Sequence, residues 1–267
     1  FSLSSNLNYY SSDGYDLIDW DNGKTVEAFN NFTGDISLGY NFKNIGSLKA
    51  KYRYFYEDRD GTIFITSPDI LGISKTKENN LLLNWNKNIS ERTDIYLDYY
   101  RTNFDNKESS VSQLNNTEQN NVFDQNLERL DMRFRYQTDR GSTFTAGIGY
   151  NNESLKRTNI SLNPILKSEF IYIQHDWLAN NNLNVVSGLR YDRHNEFSSQ
   201  ISPKASFKIE LSDALNIRGS LGYGYKAPAF RQLYLNFSNS SSGYIVLGAN
   251  ILEETINSIE SNGELLF

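Results

Sequence analysis

The strongest constraint on what this chain folds into is a pair of adjoining segments in which apolar and polar residues alternate strictly. Ile201, Pro203, Ala205, Phe207, Ile209 and Leu211 take turns with Ser202, Lys204, Ser206, Lys208 and Glu210. After Ser212-Asp213-Ala214 the alternation resumes, with Leu215, Ile217, Gly219, Leu221 and Tyr223 set against Asn216, Arg218 and Ser220. A period of two means an extended strand with one apolar and one polar face. Strands of soluble domains run to about five or six residues, whereas a strand that crosses a bilayer needs about nine to eleven, tilted. Two such segments joined by a short turn predict a transmembrane β-hairpin whose polar face looks into a lumen.

Composition narrows the alternatives. The chain has 267 residues, a mean hydropathy of −0.58 and no apolar run near eighteen residues, which excludes a membrane protein built of helices. A barrel survives, because half of every strand is polar. The 18 Tyr and 16 Phe suit aromatic girdles at two interfaces, and they suit a packed soluble β-sandwich equally. A net charge of −6 argues against nucleic acid as a partner held by bulk electrostatics. The absence of Cys removes disulfide scaffolds, thiolate metal sites and cysteine nucleophiles together. His175 and His194 are too few and too far apart for a zinc motif, and no nucleophile elbow, P-loop or dinucleotide fingerprint is present. Asp13, Asp16, Asp19, Asp21 and Trp20 cluster in one loop, and Asp58 and Asp60 precede Gly61. Calcium is the alternative such oxygens offer, but their spacing follows no EF-hand pattern, and solvated loops are the favoured reading. No metal site, no cofactor and no enzymatic activity is expected.

Taken in order, alternation predicts strands over 1–10, 32–40, 47–58, 80–86, 94–101, 128–138, 143–150, 170–178, 183–192, 201–211 and 215–223, with one more after Thr255. Loops are expected over 59–79 and from 102 to Leu127. In the third strand Leu48, Ala50, Tyr52, Tyr54 and Tyr56 oppose Lys49, Lys51, Arg53 and Glu57. In the sixth, Leu130, Met132, Phe134 and Tyr136 oppose Arg129, Asp131, Arg133 and Arg135. Connections after even-numbered strands are short, and most of those after odd-numbered strands are long. That segregation is the habit of outer-membrane barrels, with short turns on one side and long loops on the other. The fold class is therefore all-β: an antiparallel transmembrane β-barrel segment of about twelve strands, with outer-membrane lipid against its apolar face.

From Ser202 onward the sequence resembles the TonB-dependent outer-membrane receptor family. The stretch Ser202–Tyr234 (SPKASFKIELSDALNIRGSLGYGYKAPAFRQLY) carries an SP-strand, a turn and a strand ending in aromatic and Gly residues. Tyr225-Lys226-Ala227-Pro228 then matches the family's aromatic-basic-Ala-Pro box. Gly248-Ala249-Asn250-Ile251-Leu252 stands where an Asn-Pro-Asn-Leu-like box belongs, without its Pro, and Glu254-Thr255 precedes the next strand. The resemblance implies a twenty-two-stranded barrel with a plugged lumen. Residues 1–267 would be a barrel fragment of it, lacking the plug domain and the C-terminal strands. It further implies TonB-dependent import of a scarce metal chelate, a ferric siderophore first and cobalamin or haem next. The inner-membrane TonB complex would engage the missing plug region. A surface lipoprotein capping the barrel is a partner this reading allows.

The expected ligand contacts lie in the loop after the first box, at Tyr225, Arg231, Tyr234, Phe237 and Tyr244, one cation and four rings. The expected lumen-facing or plug-facing side chains are Lys49, Arg53, Arg133, Arg135, Arg190 and Lys204. Rival readings are a passive porin or small complete twelve-stranded barrel, and a soluble β-rich adhesin. The soluble reading requires Leu48, Phe134, Phe207 and Leu221 to be buried beneath a second layer.

Overall fold

The computed structural model describes residues 1–17, 25–60, 70–112, 116–158, 163–212, 215–228, 230, 233, 237–239, 244–246 and 254–265. Its strands are β1 (Ser2–Ser12), β2 (Phe29–Phe42), β3 (Gly46–Asp60), β4 (Ile70–Ser90), β5 (Thr93–Ser112), β6 (Glu118–Gln137), β7 (Thr143–Arg157), β8 (Ile165–Asn180), β9 (Leu183–His194), β10 (Gln200–Ser212), β11 (Leu215–Lys226), β12 (Phe237–Asn239), β13 (Tyr244–Val246) and β14 (Glu254–Leu265). One sheet runs β1 through β11 in chain order and then β14, while β12 and β13 pair with each other. Among the described residues no helix is long and apolar enough to cross a membrane.

Register follows the alternation. Leu38 of β2 faces Leu3 of β1 and Ala50 of β3, and Ile209 of β10 faces Leu183 of β9 and Ile217 of β11. A slip of one residue would carry every apolar side chain to the charged face, so matching faces hold the ladder in place. The tight turns obey their own chemistry. Gly141, between β6 and β7, has φ 81°, a left-handed value that costs least at glycine. Its N–H donates to the Thr138 carbonyl at 3.1 Å while the Thr138 N–H donates to the Ser142 carbonyl at 2.8 Å.

Most strands are longer than alternation predicts, β4, β5 and β6 most of all. β4 begins at Ile70, β5 continues to Ser112 and β6 starts at Glu118, so most of the loop expected from 102 to Leu127 and the second half of that expected over 59–79 are sheet. The reason is that apolar residues are few there (Ile70, Leu71, Ile73, Phe104, Val111, Val122 and Phe123), too sparse to carry a period-two signal, while the backbone ladder does not depend on them. Side-chain amides add cross-strand ties. Asn103 Nδ2 donates to Asn126 Oδ1 at 2.8 Å and Asp124 Oδ1 at 3.2 Å, and Asn106 Nδ2 donates to Ser74 Oγ and Thr76 Oγ1 at 3.0 Å each.

The chain forms two compact units. The first comprises Phe1–Asn84, Tyr99–Arg129 and Asn152–Ile165, and the second comprises Trp85–Asp98, Leu130–Asn151 and Leu166–Phe267. In each, burial is the reverse of a soluble domain's. The apolar rows stand open: Leu48 is 39% exposed in the first unit, and Phe134, Phe207 and Leu221 are 42%, 41% and 59% exposed in the second. The buried side chains lie on the opposite, polar-patterned face. Leu155 is buried in the first unit, and Phe170, Asp94, Ser168 and Asp192 in the second. Among the described residues no second layer covers the four rows that a soluble sandwich would have to bury.

Candidate functional site on the polar face

Alternation puts charge on one face, and packing decides what each charge meets. In the second unit, Arg135 of β6 is bound to Asp94 of β5, its Nε donating to Oδ2 at 2.9 Å. Arg133, two residues back and so on the same face, sets its guanidinium 4.7 Å from the Tyr96 ring centroid and 3.9 Å from Asp98. Arg190 of β9 makes a two-pronged bond to Asp192, 2.8 Å at each nitrogen, a fork geometry that fixes the side chain as well as neutralising it. The same guanidinium lies 3.9 Å over the Phe170 ring. Phe170 and Tyr172 of β8 stack at 6.3 Å and lie against Gly149 and Gly147 of β7. A Cβ on Gly149 would fall 2.1 Å from Phe170 Cζ, and one on Gly147 2.4 Å from Tyr172 Cζ. The two glycines form the floor on which the rings rest.

Next to this cluster is a cavity of about 460 Å³. Its polar-face lining includes Gln174, Arg190, Ser202, Lys204 and Ser220, over a floor at Gly188 and Gly222. Lys204 makes no ion pair among the described residues, and it is the uncompensated cation of this pocket. The structure thus brings Arg190 and Lys204 together, and it places Arg133 and Arg135 on the polar face in contact with carboxylates of the neighbouring strand.

In the first unit, Lys49 and Arg53 of β3 occupy the polar parity opposite Gly39 and Asp35 of β2, exposed and without ion pairs among the described residues. The same unit holds a smaller cavity of about 340 Å³ between the distal parts of β5, β6 and β7. Phe104 and Phe123, edge to face at 5.8 Å, line it with Asn106, Glu108, Asn121 and Arg157. Nearby, Gln125 Nε2 donates to Glu153 Oε1. Glu153 lies on β7 beyond the apolar row, and burial pushes its carboxyl above the usual range, with the Gln125 hydrogen bond opposing the shift. Sequence reading missed this pocket because it treats 102–127 as a loop. The one available signal was the aromatic spacing of Phe104 and Phe123.

Of the five expected ligand contacts, Arg231 and Tyr234 lie outside the described residues, as do the side chains of Tyr225, Phe237 and Tyr244. Asp19, Trp20 and Asp21 also lie outside them, as does Gly61. Asp58 is 3.7 Å from Lys75. At the first box, its last residue Pro228 is buried, and Phe230 just beyond it is 3% exposed.

An uncovered apolar face, backed by a charged face on strands long enough to span a bilayer, defines a transmembrane β-sheet of the barrel class. The chain belongs to the family described as "TonB dependent receptor-like, beta-barrel", which matches residues 1–261. That is a family of receptors and transporters, not of enzymes. A probable TonB-dependent siderophore receptor, PirA of Acinetobacter baumannii, is 26% identical over 127 residues, 45% of this chain and 15% of that protein. Among solved structures, the copper transporter OprC superposes with a TM-score of 0.66 at 12% identity, over 88% of this chain and 42% of that one. The FrpB iron transporter of Neisseria meningitidis gives 0.60 at 14% identity, over 84% and 42%. The siderophore receptor PirA of Pseudomonas aeruginosa gives 0.54 at 14% identity, over 95% and 51%. The chain therefore spans about half the length of the solved receptors it resembles and a smaller share of the curated relative.

Proposed function

We propose that this chain supplies barrel strands of an outer-membrane receptor that imports a metal chelate in a Gram-negative bacterium. The cargo we favour is a ferric siderophore, with cobalamin or haem next. The observation that carries the reading is the pairing of an uncovered apolar face with a charged, cavity-bearing face in a chain matched by the receptor family along nearly its whole length. A siderophore receptor among its relatives supports the cargo class. On this reading residues 1–267 are one barrel segment of a longer protein. A plug fills the lumen beside Lys49, Arg53, Arg133, Arg135, Arg190 and Lys204, and the TonB complex acts through that plug. Ligand meets Tyr225 at the end of β11 and the segment bearing Arg231, Tyr234, Phe237 and Tyr244, and the pocket at Phe104 and Phe123 is a further candidate contact. Rings and a few convergent polar groups on a concave wall are what such a ligand requires.

The test is to purify the full receptor containing this chain from iron-starved cells. Co-purifying small molecules are identified by mass spectrometry, with iron, copper and cobalt measured in parallel. A bound chelate whose uptake stops when the proton gradient is collapsed supports active import. Uptake that persists without the gradient sinks the reading in favour of a passive pore.

A further inference from the structure

We infer that the cavity of the first unit, between the distal parts of β5, β6 and β7, takes an α-amino-acid end group. Its ammonium lies at Glu108, its carboxylate at Arg157 and its side chain against Phe104 and Phe123. The cavity of about 340 Å³ is at the low end of the range of about 300–1,000 Å³ that ligand pockets span, which suits one end group. The ladder brings these residues together. Ser112 N–H donates to the Thr117 carbonyl at 3.1 Å and Gln137 N–H to the Arg92 carbonyl at 2.8 Å. Residues 92–112 and 117–137 are equal in length, so β5 and β6 keep one register, with Glu108 beside Asn121 and Asn106 beside Phe123. Thr158 N–H donates to the Val122 carbonyl at 3.1 Å, which sets Arg157 on the other side of Phe123.

Glu108 and Arg157 are the two charged groups that line the cavity. They stand two strands apart sideways and two residues apart lengthwise, about 12 Å between backbones. Neither makes an ion pair among the described residues. Three other charged groups share this face on the distal parts of β4, β6 and β7, and none lines the cavity. Glu78 accepts from Asn80 Nδ2 at 2.7 Å, and Glu153 accepts from Gln125. Arg129 lies about 20 Å along β6 from Phe123. A bare anion in the cavity would leave Glu108 unmet, and a bare cation would leave Arg157 unmet, whereas a zwitterion satisfies both. Asn106 donates both amide hydrogens, to Ser74 Oγ and Thr76 Oγ1, so its carbonyl oxygen remains an acceptor for the ammonium. The two rings, edge to face at 5.8 Å, supply the apolar contact. The group comes either from a free amino acid or from an amino-acid arm of the cargo, and the second case rests on the import reading proposed above.

The experiment is isothermal titration calorimetry on the full receptor in mild detergent. The probes are phenylalanine, N-acetylphenylalanine, which lacks the ammonium, and phenylalaninamide, which lacks the carboxylate. Phenylalanine is expected to bind at least about tenfold tighter than either blocked form, the effect of one lost hydrogen bond to a charged group. Glu108→Gln should abolish the difference between phenylalanine and N-acetylphenylalanine, and Arg157→Gln the difference between phenylalanine and the amide. Lys107→Gln, on the opposite face of β5, should bind as the parent does. Equal binding of the three probes overturns the inference, as does a parent receptor that binds no phenylalanine or a Lys107→Gln loss as large as that of Glu108→Gln. The probe series is read on the unaltered receptor, so it stands whether or not the variants fold. Displacement of the co-purified chelate by phenylalanine assigns the site to an arm of the cargo, and simultaneous binding of the two assigns it to a free amino acid. Uptake is measured separately. Loss of its dependence on the proton gradient removes the import reading and leaves the amino-acid site standing, while unselective probes beside gradient-driven uptake remove this inference alone.

Discussion

Leu221 and Ser220 are adjacent on β11 yet face opposite ways, which allows the membrane assignment to be tested with one residue type at two positions. Leu221 stands between Ala205 and Ile259 in the ladder, while Ser220 faces Ser206 and Glu260. Leu221 lies six residues from Leu215, the start of β11. At roughly 3.3 Å per residue that is about 20 Å along the strand, and a tilt of about 40° makes it about 15 Å of depth. Half of a hydrocarbon core about 30 Å thick is the same distance, so Leu221 sits near the midplane. An arginine there should cost about 2–4 kcal/mol if the face meets lipid, and no more than about 0.5 kcal/mol if it meets water. The lower bound of the first range is already more than a tenfold change in the unfolding constant. Ser220→Arg, on the polar face, should fall within the smaller range. The assay is urea unfolding of the full receptor in liposomes, followed by tryptophan fluorescence. Should Leu221→Arg cost no more than Ser220→Arg, the apolar face is not in a bilayer and the receptor reading falls.

Further outcomes follow from the polar face. Gly149→Val should destabilise by about 1–3 kcal/mol through overpacking, because its Cβ would stand 2.1 Å from Phe170 Cζ, and Phe170→Ala in the same chain should recover much of the loss in a double-mutant cycle. Asp192→Ala should cost about 1–3 kcal/mol by leaving the Arg190 fork without its acceptors, whereas the paired change with Arg190→Ala should cost less than the sum of the singles. Glu153, with its carboxyl raised by burial, binds more protons folded than unfolded across the interval between its two pKa values, so its contribution to stability is full below the unfolded value and declines as pH rises through the folded one. Glu153→Gln should remove that slope in a pH series of urea midpoints while leaving the Gln125 hydrogen bond an acceptor. Phe104→Ala should weaken binding of the co-purified chelate, measured by tryptophan quenching, without changing the unfolding midpoint by more than a surface substitution would.

Much of the site was hidden from sequence for one recurring reason: a side chain's parity is local, but its partner is not. Alternation places Arg133, Arg135 and Arg190 on the polar face, as observed, yet only packing shows Arg133 and Arg135 tied to Asp98 and Asp94 of the neighbouring strand; Arg190 is the local case, paired with Asp192 two residues on in its own strand. Half of what reads as bare positive charge is compensated within its own sheet, while Lys49, Arg53 and Lys204 make no ion pair among the described residues. The pocket at Phe104 and Phe123 was lost at an earlier step. Where apolar residues are as sparse as Phe104, Val111, Val122 and Phe123 no period survives, so 102–127 looks like a loop although backbone and amide hydrogen bonds hold most of it extended.

The residue pattern alone determined that the chain is built of long two-faced strands, because side-chain direction in an extended backbone reverses at every residue and needs no partner to define it. It also carried the order of motifs from Ser202 that points to the receptor family. Which face is buried was decided only by the tertiary structure, since a period of two is the same whether apolar side chains pack under a second sheet or stand open to lipid. The pairing of strands settled that question, by leaving Leu48, Phe134, Phe207 and Leu221 uncovered and closing Phe170 and Asp192 in on the other side.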